Sequence, residues 1–103
     1  MSKLAKDIEA LDAFLTSHTR ITVLTGAGIS LASGIPTYRD EAGHWRHSEP
    51  IKHQEFLAEP HRRRRYWARS MRGWPAVRDA RPTAAHRALA ILERRGHIDT
   101  IIT

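Results

Sequence analysis

The residues with the clearest chemical content are Gly26-Ala27-Gly28, set directly after the β-branched run Ile21-Thr22-Val23-Leu24-Thr25. Strand, glycine pair, helix is the arrangement that holds a pyrophosphate. The first glycine allows a sharp turn and the second lets backbone N–H groups approach the anion. A helix opening at Ser30 adds the partial positive charge of its N-terminus. The common dinucleotide pattern has a glycine or alanine three residues after the second glycine, and here that position is Leu31. Taken alone, the triplet is a weak sign of nucleotide binding. Tyr66 and Arg69 are a second candidate. One helical turn apart, they share a face and could line one pocket, where a guanidinium offers a forked partner to a carboxylate. The plain alternative is a packed Tyr66 and a solvated Arg69. His44, His47, His53 and His61 have no metal-ligand spacing with carboxylates, and the chain contains no cysteine. Disulfides, thiol catalysis and a Cys-built zinc site within these residues are excluded.

The elements that must position these residues follow from periodicity. Leu4, Ile8, Leu11 and Leu15 form one stripe of an amphipathic helix, with Ser2 as its N-cap and an end near Ser17. The run at 21–25 predicts a buried strand. From Ser33 to about Pro50 no period holds, and Gly34, Pro36, Gly43 and Pro50 punctuate a long ordered loop. Loops of that length in compact proteins are usually functional or disordered, and Tyr38 and Trp45 favour function. Helical segments are expected over His53–Ala58 and His61–Met71, the second broken by Gly73, Trp74 and Pro75. Thr83 is a suitable N-cap for a further helix with Ala85, Ala88, Leu89 and Leu92 on one face, and Gly96 stands where a glycine C-cap belongs. Residues 97–103 read as a second strand. The order predicts an α/β chain: one enlarged βαβ unit, two parallel strands joined by a right-handed, mostly helical crossover.

At 103 residues the chain is long enough for about one small domain. Its 41% apolar and 27% charged content is ordinary for a soluble globular protein. No apolar run approaches a membrane span, and the N-terminus lacks the compact apolar stretch of a secretory signal, so the expected compartment is cytoplasmic. The net charge of +6 includes the run Arg62–Arg65. That run reads either as a polyanion-binding patch or as the solvated face of a helix. No nucleic-acid-binding motif flanks it, which favours the helix face, and a nucleic-acid partner is not expected.

The stretch Gly26-Ala27-Gly28-Ile29-Ser30-Leu31-Ala32-Ser33-Gly34-Ile35-Pro36-Thr37-Tyr38-Arg39-Asp40 resembles the sirtuin signature, G-A-G-x-S-x-x-S-G-I-P-x-[FY]-R, at every fixed position. The likeness continues through Gly43 and Trp45. Arg65-Tyr66-Trp67-Ala68-Arg69-Ser70, Gly73-Trp74-Pro75 and Arg81-Pro82-Thr83-Ala84-Ala85-His86 are similar to the subgroup that includes the mitochondrial lipoamidase and ADP-ribosyltransferase sirtuin.

The resemblance implies a partial Rossmann-like domain and an NAD-dependent protein deacylase, which transfers an acyl group from lysine to ADP-ribose. It implies that Gly26, Ala27, Gly28 and Ser30 lie at the NAD pyrophosphate. Ser33 to Trp45 would be the flexible cofactor loop, and Ile35 and Pro36 would line the nicotinamide pocket. Tyr38 would shield the sugar carbon once nicotinamide leaves, because that carbon needs water kept away. Arg39 would meet a phosphate or ribose. Tyr66 and Arg69 resemble the pair that reads acidic acyl groups in desuccinylating members. His86 falls in a Pro-x-x-x-His stretch and is expected to be structural.

In the family the strand matching Ile98–Thr103 runs into Gln-Asn-x-Asp, followed by the catalytic His, the zinc cysteines and the rest of the nucleotide fold. None of these lies within residues 1–103. The expectation is therefore a truncated N-terminal part of a deacylase domain, inactive alone, with zinc held outside these residues. The partners implied are NAD and an acyl-lysine protein. The alternative is a non-catalytic remnant or interaction module that binds NAD weakly.

Overall fold

The computed structural model describes residues 1–103. Its elements in chain order are α1 (Lys3–Ser17), β1 (Ile21–Leu24), a 3₁₀ helix (Ala27–Ser33), α2 (His53–Ala58), α3 (Pro60–Asp79), α4 (Ala84–Arg94) and β2 (Ile98–Ile102). They fall into two compact units, Met1–Ile29 with Pro82–Thr103, and Ser30–Arg81.

The first unit holds the sheet. β1 and β2 pair in parallel, with Thr22 opposite Thr100, Val23 opposite Ile101 and Leu24 opposite Ile102. The register shifts between Ile21 and Thr22. Parallel strands require a crossover rather than a hairpin, so the order expected from the sequence holds. Each strand is slightly shorter than its apolar run, although the Thr25 N–H still donates to the Ile102 carbonyl at 2.9 Å. Burial corrects the sequence reading. Ile21 and Ile98 are buried, whereas Leu24 is 78% exposed and Ile101 and Ile102 are open as well. The sheet has two members, and α4 is the helix that packs on β2. A β-branched run fixes the strand, but burial depends on what covers it.

The helix termini follow local chemistry. The Ser2 hydroxyl accepts the Ala5 N–H at 3.2 Å and starts α1. The Leu4, Ile8 and Leu11 stripe forms but stays exposed. At the end of α4, Gly96 takes φ +81°. Its N–H meets the Glu93 carbonyl at 3.0 Å and the His97 N–H meets that of Leu92 at 2.9 Å. This is the double bond pattern of a glycine-terminated helix. The half-buried face of α4 is His86, Leu89 and Leu92, with Ala85 and Ala88 exposed.

In the second unit α2 and α3 pack together. Arg63 joins them, donating to the carbonyls of Phe56 at 2.9 Å and Leu57 at 2.8 Å. Arg62 faces Glu59 at 3.7 Å and Arg65 donates to Ser48 at 3.0 Å. Most of the arginine run is thus engaged within its own unit, not simply solvated. The expected break at Gly73, Trp74 and Pro75 does not occur, since α3 is continuous through Pro75. A proline so near the C-terminus removes one ladder bond, to the Met71 carbonyl. The turn it admits puts Ala76 and Val77 on the wall of a cavity.

The stretch after Ser33 is more ordered than its lack of period suggests. Arg39 and Trp45 form an antiparallel bridge. The Arg46 N–H donates to the Tyr38 carbonyl at 2.9 Å and the Asp40 N–H to that of His44 at 2.8 Å. The tip is closed by the Asp40 carboxylate, which accepts the His44 N–H at 2.9 Å. Gly43, at φ +84°, supplies the left-handed residue this tight turn requires.

Candidate functional site

The glycine turn belongs to the first unit. The helix expected to open after it begins within it, at Ala27, and is 3₁₀ rather than α. Its first bond runs from the Ile29 N–H to the Gly26 carbonyl at 3.2 Å. The N–H groups of Ala27 and Gly28 precede that ladder and have no partner in it. Neither Gly26 nor Gly28 has positive φ. A Cβ built on either would meet no atom of the chain within 4 Å. The protein's own packing and backbone therefore do not demand glycine here. N–H groups outside the ladder, on exposed residues beside two missing side chains, are chemically suited to an anion.

Ser30 opens the second unit and is half-buried. Its carbonyl accepts the Ile35 N–H at 3.4 Å, and that of Leu31 accepts the Gly34 N–H at 3.1 Å. With Gly34 at φ +86°, these bonds end the 3₁₀ helix and turn the chain into the loop. Ser33 donates to the Arg81 carbonyl.

Beyond Gly34 a cavity of about 510 Å³ opens. Ile35, Pro36 and Tyr38 line it from the loop, and Tyr66 and Arg69 line it from α3. Its volume suits a small-molecule group. Tyr66 is fixed edge-on between the rings of Phe56 and Trp67, each at 5.2 Å. Arg69 is exposed and has no carboxylate partner. Both side chains line the cavity, with Tyr66 against two rings yet 43% exposed and Arg69 solvated.

Arg39 and Trp45 do not line this cavity. The Arg39 guanidinium sits 4.1 Å from the centre of the Trp45 ring, a cation–π contact that holds the hairpin. Thr37 bonds to the Arg39 carbonyl and accepts Arg46 Nε at 3.3 Å. His86 is structural, as expected. Its Nδ1 accepts the Thr83 N–H at 3.0 Å, completing the cap of α4.

Sequence reasoning missed Pro50, Ile51, Ser70, Gly73 and Val77 on the cavity wall. The signal was present. Tyr66, Arg69, Ser70, Gly73 and Val77 recur at helical spacing on one face, hidden by ending the helix at Met71. No three His, Cys, Asp or Glu side chains come together in a way that could hold a metal. The zinc implied by the resemblance therefore has no ligand set among these residues. No helix is long and apolar enough to cross a membrane.

The model of the Sir2 family matches residues 26–103, from the first glycine of the turn to Thr103, one residue past β2. An NAD-dependent protein deacetylase of Bordetella pertussis is 50% identical over 103 residues, all of this chain and 38% of its own length. NAD-dependent protein deacetylase 2 of Bradyrhizobium diazoefficiens is 50% identical over 95 residues, 92% of this chain and 35% of the relative. An NAD-dependent protein deacylase of Monosiga brevicollis is 50% identical over 96 residues, 93% of this chain and 30% of the relative. The chain thus spans about a third, 30–38%, of the length of these curated relatives. The glycine turn, the loop that follows it and the closing strand are all inside the matched region, and the chain belongs to the Sir2, or sirtuin, family.

Proposed function

We propose that these residues form the N-terminal part of an NAD-dependent protein-lysine deacylase, which transfers an acyl group from lysine to ADP-ribose. The observation that carries the reading is the cavity in the second unit. It joins three residues of the signature loop, Ile35, Pro36 and Tyr38, to Tyr66 and Arg69 of α3. The relatives' names, NAD-dependent protein deacetylase and deacylase, supply the reaction class.

In this reading Gly26, Ala27, Gly28 and Ser30 receive the pyrophosphate through backbone N–H groups. When bound, NAD supplies the electrophilic sugar carbon from which nicotinamide leaves. Ile35 and Pro36 give an apolar wall for the nicotinamide ring, and Tyr38 keeps water from the reacting carbon. Arg39 exchanges the Trp45 ring for a phosphate or ribose oxygen. Tyr66 and Arg69 meet the acyl group, and the Arg69 fork favours one that ends in a carboxylate. No catalytic base is assigned within these residues.

The test is a chimera. These residues replace the matching segment of the Bordetella pertussis relative, and nicotinamide release is followed with acetyl-lysine and succinyl-lysine peptides. The expected result is NAD-dependent release, with Arg69→Ala lowering turnover of the succinyl peptide more than that of the acetyl peptide. A folded chimera that releases no nicotinamide would favour the alternative, a non-catalytic module that binds NAD weakly.

A further inference from the structure

Gly73 lies inside α3, between Arg72 and Trp74. Glycine is a poor helix former, because it loses the most backbone freedom on folding. A glycine kept inside a helix therefore calls for a reason. Backbone conformation does not supply one, since the φ of Gly73 is not positive. Packing does not supply one either. Apart from its chain neighbours and its own helix backbone, a Cβ built on Gly73 would meet no atom within 4 Å. Nor does Pro75 require it. A proline ring presses on the residue before it and on the carbonyl four residues back, here Trp74 and Met71.

What remains is the cavity. Gly73 is on its wall together with Tyr66, Arg69, Ser70, Ala76 and Val77 of the same helix. At the helical rise of about 1.5 Å per residue, this wall runs roughly 16 Å from Tyr66 to Val77. Gly73 stands between its polar end, Tyr66, Arg69 and Ser70, and its apolar end, Ala76 and Val77. Side chains on a helix lean toward its N-terminus, so one at position 73 would cover the turn that holds Arg69 and Ser70. With glycine there, the two ends belong to one cavity of about 510 Å³.

We infer that Gly73 is a specificity-determining residue: its missing side chain leaves the cavity open beyond Arg69, so that it takes an apolar acyl chain several carbons longer than acetyl. The inference rests on the deacylase reading above and adds to it the length of the acyl group. An acetyl group, with one carbon beyond its carbonyl, needs none of the wall past Gly73. A longer chain buries further CH₂ groups against Ala76 and Val77, and each adds to binding. Arg69 bears on how a short acyl group ends, and Gly73 on how far an apolar one can run.

The test compares the wild-type chain with Gly73→Ala and Gly73→Leu. Chemical denaturation reads the fold. NMR titrations read binding of acetyl-lysine and hexanoyl-lysine peptides and of free hexanoate. Gly73→Ala is expected to raise the folded-to-unfolded ratio about fivefold, the difference between alanine and glycine inside an exposed helix. Gly73→Leu is expected to weaken hexanoyl-lysine binding at least about tenfold and acetyl-lysine binding less than about twofold, the scale on which an apolar pocket discriminates by size. Should Gly73→Leu not fold, Gly73→Met takes its place, with a side chain of similar volume and greater flexibility. A loss of stability in Gly73→Ala would show that the glycine serves the fold and would overturn the inference. Equal effects on the two peptides in the folded leucine or methionine variant overturn it too, as does a wild-type chain that binds hexanoyl-lysine and hexanoate no better than acetyl-lysine. If the wild-type chain binds hexanoate, Gly73→Leu abolishes that binding and neither peptide binds, the opening at Gly73 is supported and the deacylase reading is what fails.

Discussion

The turn at Gly26–Ile29 and the cavity beside α3 present two kinds of recognition surface. The turn is made of backbone, and its chemical content is the absence of two side chains on exposed residues whose N–H groups precede the 3₁₀ ladder. The cavity is made of side chains brought together from a loop and a helix far apart in sequence. A backbone surface is fixed by neighbouring residues, so a short motif announces it. A side-chain surface depends on which helix face turns inward and how far the helix extends. The two should therefore fail in different ways.

The largest effect is expected from Gly28→Ala. With φ not positive and no atom within 4 Å of the added Cβ, the fold should tolerate the methyl. It should even gain a few tenths of a kcal/mol, up to about 1 kcal/mol, from the stiffer unfolded chain. Affinity for NAD should fall at least about tenfold, because the methyl occupies space meant for the anion. Chemical denaturation and an NAD titration check the two halves separately, and a loss of stability would mean that the glycine serves the fold. Arg63→Ala comes next and acts on the other surface. It removes a cation from two carbonyls at the end of α2. Destabilisation of about 1.5–3 kcal/mol is expected, the range for hydrogen bonds to charged groups, read as a shift in the denaturation midpoint.

Gly96→Ala sharpens the contrast between glycines. At φ +81° an alanine is strained, so about 1–2 kcal/mol should be lost where Gly28→Ala loses none. The smallest effect belongs to Trp45→Leu, which removes the face under Arg39. A cation–π contact at an exposed site is worth about 0.5–1 kcal/mol. The expected outcome is a looser hairpin, seen as faster exchange of the Arg46 and Asp40 amides, with the global midpoint nearly unchanged. A large drop in that midpoint would show that the hairpin is a structural keystone of its unit.

How much of this was legible beforehand follows the same division. The strands, the Ser2 and Thr83 caps and the Gly96 terminus were readable because each depends on residues close in sequence, and the parallel order followed from the helical crossover between the two strands. The extent of α3 was not readable, because a proline near a helix end costs only one ladder bond, and local sequence does not say whether the helix resumes past it. The exposure of Leu24 and of the α1 stripe was not legible either, since periodicity tells which face is apolar and not what covers it. Within the site, the Tyr66–Arg69 pair was visible as spacing. Pro50 and Ile51 carried no period and could be found only once the loop was seen beside α3. The hairpin at 38–46 was hidden because its order comes from one bridge, one carboxylate and one glycine.

The most direct measurement is an NMR titration of the isolated chain with NAD. The account predicts saturable shifts at the amides of Gly26, Ala27, Gly28 and Ser30 and at the Trp45 indole. The dissociation constant should be about a millimolar or weaker, because a family site shares its affinity with residues outside this chain and each tenfold step is about 1.4 kcal/mol. Absence of any shift from Gly26 to Ser30 at saturating NAD would contradict the account, and micromolar binding would show that the Gly26–Trp45 segment is a self-sufficient site.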